Sequence, residues 1–202
     1  HTREFGSQLT NVLRCLQLEA RGYQVTVTEL VGWEHSMKNE LIIAKKVGGA
    51  KKSARERQES ILRELNLEGH PLGYGFSIRD MTELRVLKLG NTSLVGLPGG
   101  LNELAGWSRL QVLDLQRNPF IGRAPDVTGM SELRVLNLTQ TGISQIPGGL
   151  GTGNGPKGLE ILKLGENSLF DAPSLKGMSK LRELDLSSTD IDKFPDGITS
   201  EI

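Results

Sequence analysis

The sequence predicts an α/β chain in two parts: a small α/β segment, then a solenoid of about five short turns whose strands form one parallel sheet. Three observations carry this expectation. A leucine frame returns five times through roughly the last 120 residues. Each return is followed by a proline on its far limb, which argues against five long amphipathic helices. The first 70 residues lack the frame and alternate between helical and strand patterns.

The frame is L-x-x-L-x-L-x-x-[N/T]-x-[aliphatic or Phe]. It reads Leu84-Leu87-Leu89-Thr92-Leu94, Leu110-Leu113-Leu115-Asn118-Phe120 and Leu133-Leu136-Leu138-Thr141-Ile143. It continues as Leu159-Leu162-Leu164-Asn167-Leu169 and Leu181-Leu184-Leu186-Thr189-Ile191. The first leucines are 26, 23, 26 and 22 residues apart. A second hydrophobic residue and a proline follow in each unit: Leu97-Pro98, Ala124-Pro125, Ile146-Pro147, Ala172-Pro173 and Phe194-Pro195. In L-x-L both leucines point to one side of a short strand, because side chains alternate with period two. One such strand has nothing to bury its leucines against; neighbours stacked in register make a continuous aliphatic core. The Asn or Thr sits where the chain turns away from the strand and can satisfy backbone groups left unpaired there. The prolines predict return limbs of extended or 3₁₀ character with about one helical turn.

Residues 82–202 thus resemble the leucine-rich repeat family. The resemblance implies a leucine-rich-repeat solenoid whose parallel sheet lines a concave binding face, and it leaves the partner open. The non-leucine strand positions then form longitudinal rows. One is apolar and ends in a charge: Val86, Val112, Val135, Ile161, Glu183. The next is mixed: Lys88, Asp114, Asn137, Lys163, Asp185. Beside it run Gly90, Gln116, Thr139, Gly165, Ser187, and then Asn91, Arg117, Gln140, Glu166, Ser188. An apolar row beside alternating charges suits a protein or peptide better than a phosphate backbone. Val86, Lys88, Val112, Asp114, Arg117, Asn137, Ile161, Lys163 and Asp185 are therefore the expected partner-binding residues.

Composition narrows the function classes. Lys plus Arg and Asp plus Glu number 24 each, so the formal net charge is zero, which speaks against nucleic acid and anionic membranes as partners. Aromatics are only 4%, so the core must be aliphatic. A single cysteine, Cys15, excludes an internal disulfide framework, and with three histidines no metal centre is expected. No apolar run approaches 18 residues, so nothing is expected to span a membrane. An intracellular, cytoplasmic location is the corresponding expectation. The chain begins at His1 rather than Met and ends after the fifth repeat with no capping segment, so it reads as a fragment.

Residues 1–70 are read as the α/β segment and 71–81 as a connector. Ser7 to about Arg21 has an apolar stripe through Leu9, Val12, Leu13, Leu16 and Ala20, with Gly22 at the C-cap position, a helix. Tyr23 to Val31 alternates with β-branched residues and Leu41 to Ala44 is a short apolar run, two strands. Ala50 to about Leu67 reads as a second helix. Gly-Tyr-x-Val-x-Val-x-Glu-Leu-Val at 22–31, Glu34-His35, Lys38-Asn39 and Leu41 to Ala44 are similar to the C-terminal end of a class I S-adenosylmethionine (SAM)-dependent methyltransferase. That resemblance, over residues 8–70, implies the last helix and closing strand pair of a mostly parallel sheet. The cofactor end is absent: no Gly-x-Gly loop follows a first strand, and no acidic residue is placed for a ribose.

Other candidates for chemistry give way to bland readings. Glu34 and His35 have no nucleophile placed near them. Cys15 lies at the edge of a helix stripe as a small hydrophobe. The basic run Lys45 to Arg57 lacks the interleaved aromatics of a nucleic-acid platform. The Gly-rich run 148–157 lacks the G-K-[ST] ending of a phosphate loop. The sequons at Asn91 and Asn137 fall on or beside strands. No catalytic residue, cofactor or metal is expected in this chain. The expected function is binding of a protein or peptide through the concave face. Two alternatives stay open. One is a methyltransferase tail, possibly RNA-directed and using SAM only if a core lies upstream of His1. The other is a host-directed effector with a further domain after Ile202.

Overall fold

The computed structural model describes residues 15, 18–19, 21–30, 39–49, 56, 63–72, 76–79, 81, 83–102 and 107–197. They belong to two compact units, Glu4–Ile61 and a larger one containing Leu62–Ile202.

In the smaller unit Cys15, Leu18 and Glu19 are helical. The helix stops at Gly22, whose φ of 85° is left-handed and whose N–H donates to the Glu19 carbonyl at 3.0 Å. A β-carbon there would run into the Gly48 carbonyl, so only glycine fits this C-cap. Strands β1 (Tyr23–Leu30) and β2 (Asn39–Lys46) pair antiparallel from Tyr23↔Lys46 to Leu30↔Asn39. Both strands lie where the alternation predicts them, but they form a two-stranded sheet of their own. Among the described residues they join no parallel sheet, whereas the methyltransferase resemblance implies one. Glu34, His35 and Lys38 lie outside the described residues.

The larger unit is built on six three-residue strands: β3 (Glu64–Asn66), β4 (Val86–Lys88), β5 (Val112–Asp114), β6 (Val135–Asn137), β7 (Ile161–Lys163) and β8 (Glu183–Asp185). They form one parallel sheet in chain order, in register at the central leucine. Leu87, Leu113, Leu136 and Leu162 are fully buried, as are the frame leucines before and after them. Burying each contributes about 1.5–3 kcal/mol. A second ladder closes the core from the return limb through Ile78, Leu101, Val127, Leu150 and Leu175. The first leucine of each turn then donates its N–H to the residue three before it, as in Leu84 to Met81 at 3.0 Å and Leu133 to Met130 at 3.1 Å.

Strand β3 corrects two expectations. Of the helix read from Ala50 to Leu67, Glu56 and Arg63 are helical, but Glu64–Asn66 is strand. The reason is a sixth copy of the frame, Leu62-Leu65-Leu67-His70-Leu72, lying 22 residues before Leu84. Pairing with β4 overrides the helix-favouring composition of this stretch. The residues 71–81 read as a connector are accordingly part of a turn: Leu72, Phe76, Ile78 and Met81 are buried. The return limbs are turns and bends, and the helical turn expected on them is absent among described residues 83–197.

Two different staples alternate along the seams between turns. Asn118 Oδ1 accepts from the N–H groups of Thr92 (3.1 Å) and Leu94 (3.0 Å) in the preceding turn. Its Nδ2 donates back to the carbonyls of Leu89 (2.7 Å) and Leu115 (2.9 Å). Asn167 repeats this on Thr141, Ile143, Leu138 and Leu164. The Thr hydroxyls work mainly within their own turn, Thr92, Thr141 and Thr189 each donating to the carbonyl three residues back at 2.7 Å, and those of Thr92 and Thr141 also lie 3.2 and 3.3 Å from the Asn118 and Asn167 Oδ1 atoms of the next turn. The remaining seams are closed on the return limb. There the Ile78, Val127 and Leu175 N–H groups donate to Gly99, Gly148 and Asp196 at 2.9 Å. The glycine that follows, Gly100, Gly149 or Gly197, has a positive φ and packs against the previous turn's backbone. A β-carbon on Gly149 would sit 2.6 Å from the Thr128 nitrogen.

The frame fails at two aromatic positions. Phe120, aligned with core aliphatics, is 70% exposed, and Ile121 fills the core position instead at 6%. After Pro119 the Ile121 N–H closes on the Asn118 carbonyl at 3.1 Å, so the turn carries one residue more before re-entering the core. Phe194, aligned with the second hydrophobic of each turn, is 93% exposed beyond β8.

Candidate functional site

The exposed face of the parallel sheet collects the residues that the frame leaves free. Because adjacent strands are in register, one position per strand becomes one row across the sheet. The first row is Glu64, Val86, Val112, Val135, Ile161, Glu183. Its four apolar members are half-buried at the strand starts, and both ends are exposed carboxylates.

The second row reads Asn66, Lys88, Asp114, Asn137, Lys163, Asp185, a three-residue pattern repeated twice. Where the row holds Asn or Asp, the side-chain oxygen accepts the N–H two residues on. Examples are Asn66 from Glu68 (3.1 Å), Asp114 from Gln116 (3.0 Å), Asn137 from Thr139 (3.2 Å) and Asp185 from Ser187 (2.9 Å). These short polar side chains are tied down by their own backbone. Where it holds Lys, the residue two on is glycine, Gly90 or Gly165. A β-carbon at Gly165 would come within 3.0 Å of the Asp185 carboxylate and of Ser187 Oγ.

Charge on this row is set locally. Burial pushes the Asp114 carboxyl up from its ordinary value, against the lowering effects of the Gln116 N–H and of Asn137. Ser187 holds Asp185 below the usual carboxylate value through its hydroxyl and its N–H. Lys163 Nζ lies 2.6 Å from Glu183 Oε1, and that hydrogen bond raises its pKa. Beyond the second row the chain turns through a left-handed residue in every unit: Asn91, Arg117, Gln140, Glu166 and Ser188 have φ between 53° and 56°. Each of these except Ser188 donates its N–H to the next turn, Arg117 to the Thr139 carbonyl at 2.9 Å. Arg117 is thereby placed at the exposed margin of the face.

All nine expected partner-binding residues lie on this sheet or its margin. Reading the sequence missed Glu64 and Asn66, which extend the rows onto β3, and Glu68 in the turn that follows it. The signal was present in the Leu62 to Leu72 copy of the frame, where His70 stands in place of Asn or Thr. A separate hollow opens at the last turn, lined by Leu184, Leu186, Thr189, Ile191, Phe194 and Pro195, away from the rows. Among the described residues no cluster of His, Cys, Asp and Glu could hold a metal ion. No described helix is long and apolar enough to cross a membrane.

Residues 131–191 match the family described as leucine rich repeat. No curated protein and no solved structure matches the chain significantly. The match and the parallel solenoid together support a leucine-rich repeat protein. They give the methyltransferase resemblance of residues 8–70 no support.

Proposed function

We propose that this chain is an interaction module that binds a protein or peptide through the exposed face of its leucine-rich repeat sheet. The observation that supports the reading is the row of Val86, Val112, Val135 and Ile161. Four apolar side chains are only half-buried at the centre of a rigid sheet, with polar rows on either side. An apolar centre with a polar rim is the anatomy of a protein interface. The scaffold suits the task because every strand position is fixed by in-register pairing and buried leucines, so the face is preorganised.

The test uses peptides selected on the intact chain from a random displayed library, and then a variant in which Lys88, Asp114, Lys163 and Asp185 are all alanine. The reading expects binding to fall at least tenfold in the variant while its circular dichroism shows that it remains folded. Unchanged capture by a folded variant would remove the face from the function.

A further inference from the structure

The sheet face carries a transverse electrical asymmetry that specifies the kind of partner segment it fits. On the side of the strand N-termini runs a rim row: Arg63, Arg85, Gln111, Arg134, Glu160, Arg182. Its members are joined in order by backbone hydrogen bonds of 2.7–2.9 Å. Four cations stand there against one carboxylate, a net charge of +3. Glu160 bridges Arg134 (3.1 Å) and Arg182, while Arg63 and Arg85 have no ion-pair partner among the described residues. The row outside the rim is balanced, Glu83 and Glu132 against Arg109 and Lys180.

On the other side of the valines the floor is anionic. Its cations are Lys88, Arg117 and Lys163. Its carboxylates are Glu68 at one end, Glu166 and Asp185 at the other, and Asp114 between, while Glu64 and Glu183 close the two ends of the apolar row itself. Three cations against four carboxylates give the floor a net charge of −1, and the two end carboxylates bring floor and stripe together to −3. The apolar stripe therefore runs along the boundary between a cationic rim and an anionic floor.

Dimensions choose the shape of the occupant. Rim to second row is three residues along a strand, about 10 Å at roughly 3.3 Å per residue, which is close to the width of an α-helix with its side chains. An extended peptide lying across the strands would meet one band only, since alternate side chains point away. The four apolar strands span about 14 Å and all six about 24 Å at roughly 4.8 Å per strand. At about 1.5 Å per residue those spans correspond to roughly 10 and 16 helical residues.

We propose that the face binds an amphipathic α-helix of a protein partner, with an apolar stripe seated on Val86 to Ile161, carboxylates on the flank facing the rim and Lys or Arg on the flank facing the floor. This rests on the sheet face being the binding surface, and it names the partner's chemistry. Helix-in-groove recognition supplies affinity from the stripe, and the flanks supply orientation.

The test uses four synthetic 16-residue helical peptides with the same leucine stripe. Their flanks are Glu on one side and Lys on the other, all Glu, all Lys, or all Gln. A fifth peptide carries the mixed flanks with two central prolines. Affinities are read by fluorescence anisotropy in low and high salt. The mixed-flank peptide is expected to bind at least tenfold tighter than the other four, with the charge-dependent part of that advantage shrinking in high salt. In R85E/R134E the preference shifts to the all-Lys peptide. Equal affinity across the flank patterns, tightest binding by a uniform or Gln peptide, equal binding by the proline peptide, or no binding at all would overturn the proposal. The isosteric variant V112T/V135T separates this failure from failure of the face itself. If it weakens every peptide but flank pattern makes no difference, the face stands and the helix polarity falls. If it leaves binding unchanged, the face falls too.

Discussion

Asn118 and Thr92 occupy equivalent positions in adjacent turns, yet their removal should have very different costs. Replacing Asn118 with alanine takes the only acceptor from two buried N–H groups, those of Thr92 and Leu94. It also removes the Nδ2 donor that reaches the Leu89 and Leu115 carbonyls. A buried polar group left without a partner costs about 1–3 kcal/mol, so the two N–H groups and the Leu115 carbonyl together predict a loss of about 3–9 kcal/mol. Replacing Thr92 with alanine removes its bond to the Leu89 carbonyl and its longer 3.2 Å contact with Asn118 Oδ1, but Asn118 Nδ2 still serves that carbonyl at 2.7 Å. Both N–H groups keep their acceptor, and the expected loss is about 1 kcal/mol. Asn118→Thr is the informative third case. The hydroxyls of Thr92, Thr141 and Thr189 serve a carbonyl in their own turn, so threonine at 118 would rescue Leu115 and abandon the N–H groups across the seam. Its predicted cost of about 2–6 kcal/mol lies between the other two. Urea unfolding of the three variants, fitted as a repeat array because solenoid cooperativity is nearest-neighbour, would measure the differences. Equal losses for N118A and T92A would refute the view that Asn alone carries this seam.

Three further outcomes follow from other features. Gly149→Ala should destabilise by about 3 kcal/mol or more, because the new β-carbon meets the Thr128 backbone at 2.6 Å in a left-handed conformation; a small change in Tm would contradict this. Asp114→Asn should raise Tm at pH 7. Burial raises the Asp114 pKa, so the folded state binds its proton more tightly, and the stability this gives below the ordinary value of 3.8 is lost as pH rises through the folded value. The gain should therefore vanish on acidification, and a gap that persists at low pH would point to another cause. Phe120→Ser should change stability by under about 0.5 kcal/mol, whereas Ile121→Ala should cost about 2–4 kcal/mol, and the reverse order would restore Phe120 to the core.

The repeat was legible because its physics is local and periodic. Leucines at fixed spacing must share a face, and a solenoid needs every turn to present them. Strands β4 to β8 and the rows on them follow from that spacing alone. Strand β3 was obscured because His70 replaces Asn or Thr, and the surrounding Arg-Glu-Leu composition favours helix in isolation. The seams were only half legible. Asn and Thr alternate visibly in the sequence, but that Asn caps the backbone groups of the preceding turn while the Thr hydroxyl serves its own turn's carbonyl and meets only the Asn oxygen across the seam depends on side-chain length acting in three dimensions. Phe120 was misassigned because one residue inserted after Pro119 shifts the core position without disturbing the frame on either side. The asymmetry of the face was hidden for a similar reason. The rim row stands between two leucines of the frame, and its charge sums only when the strands are laid side by side.

The most direct test of the binding face is residue-resolved NMR of the intact chain titrated with a library-selected peptide. The account predicts that the largest amide shifts fall on the sheet rows, around Val112, Asp114, Asn137, Ile161 and Lys163. Shifts gathered instead at the terminal hollow around Ile191 and Phe194, or on the return limb around Gly129 and Asn154, would contradict it.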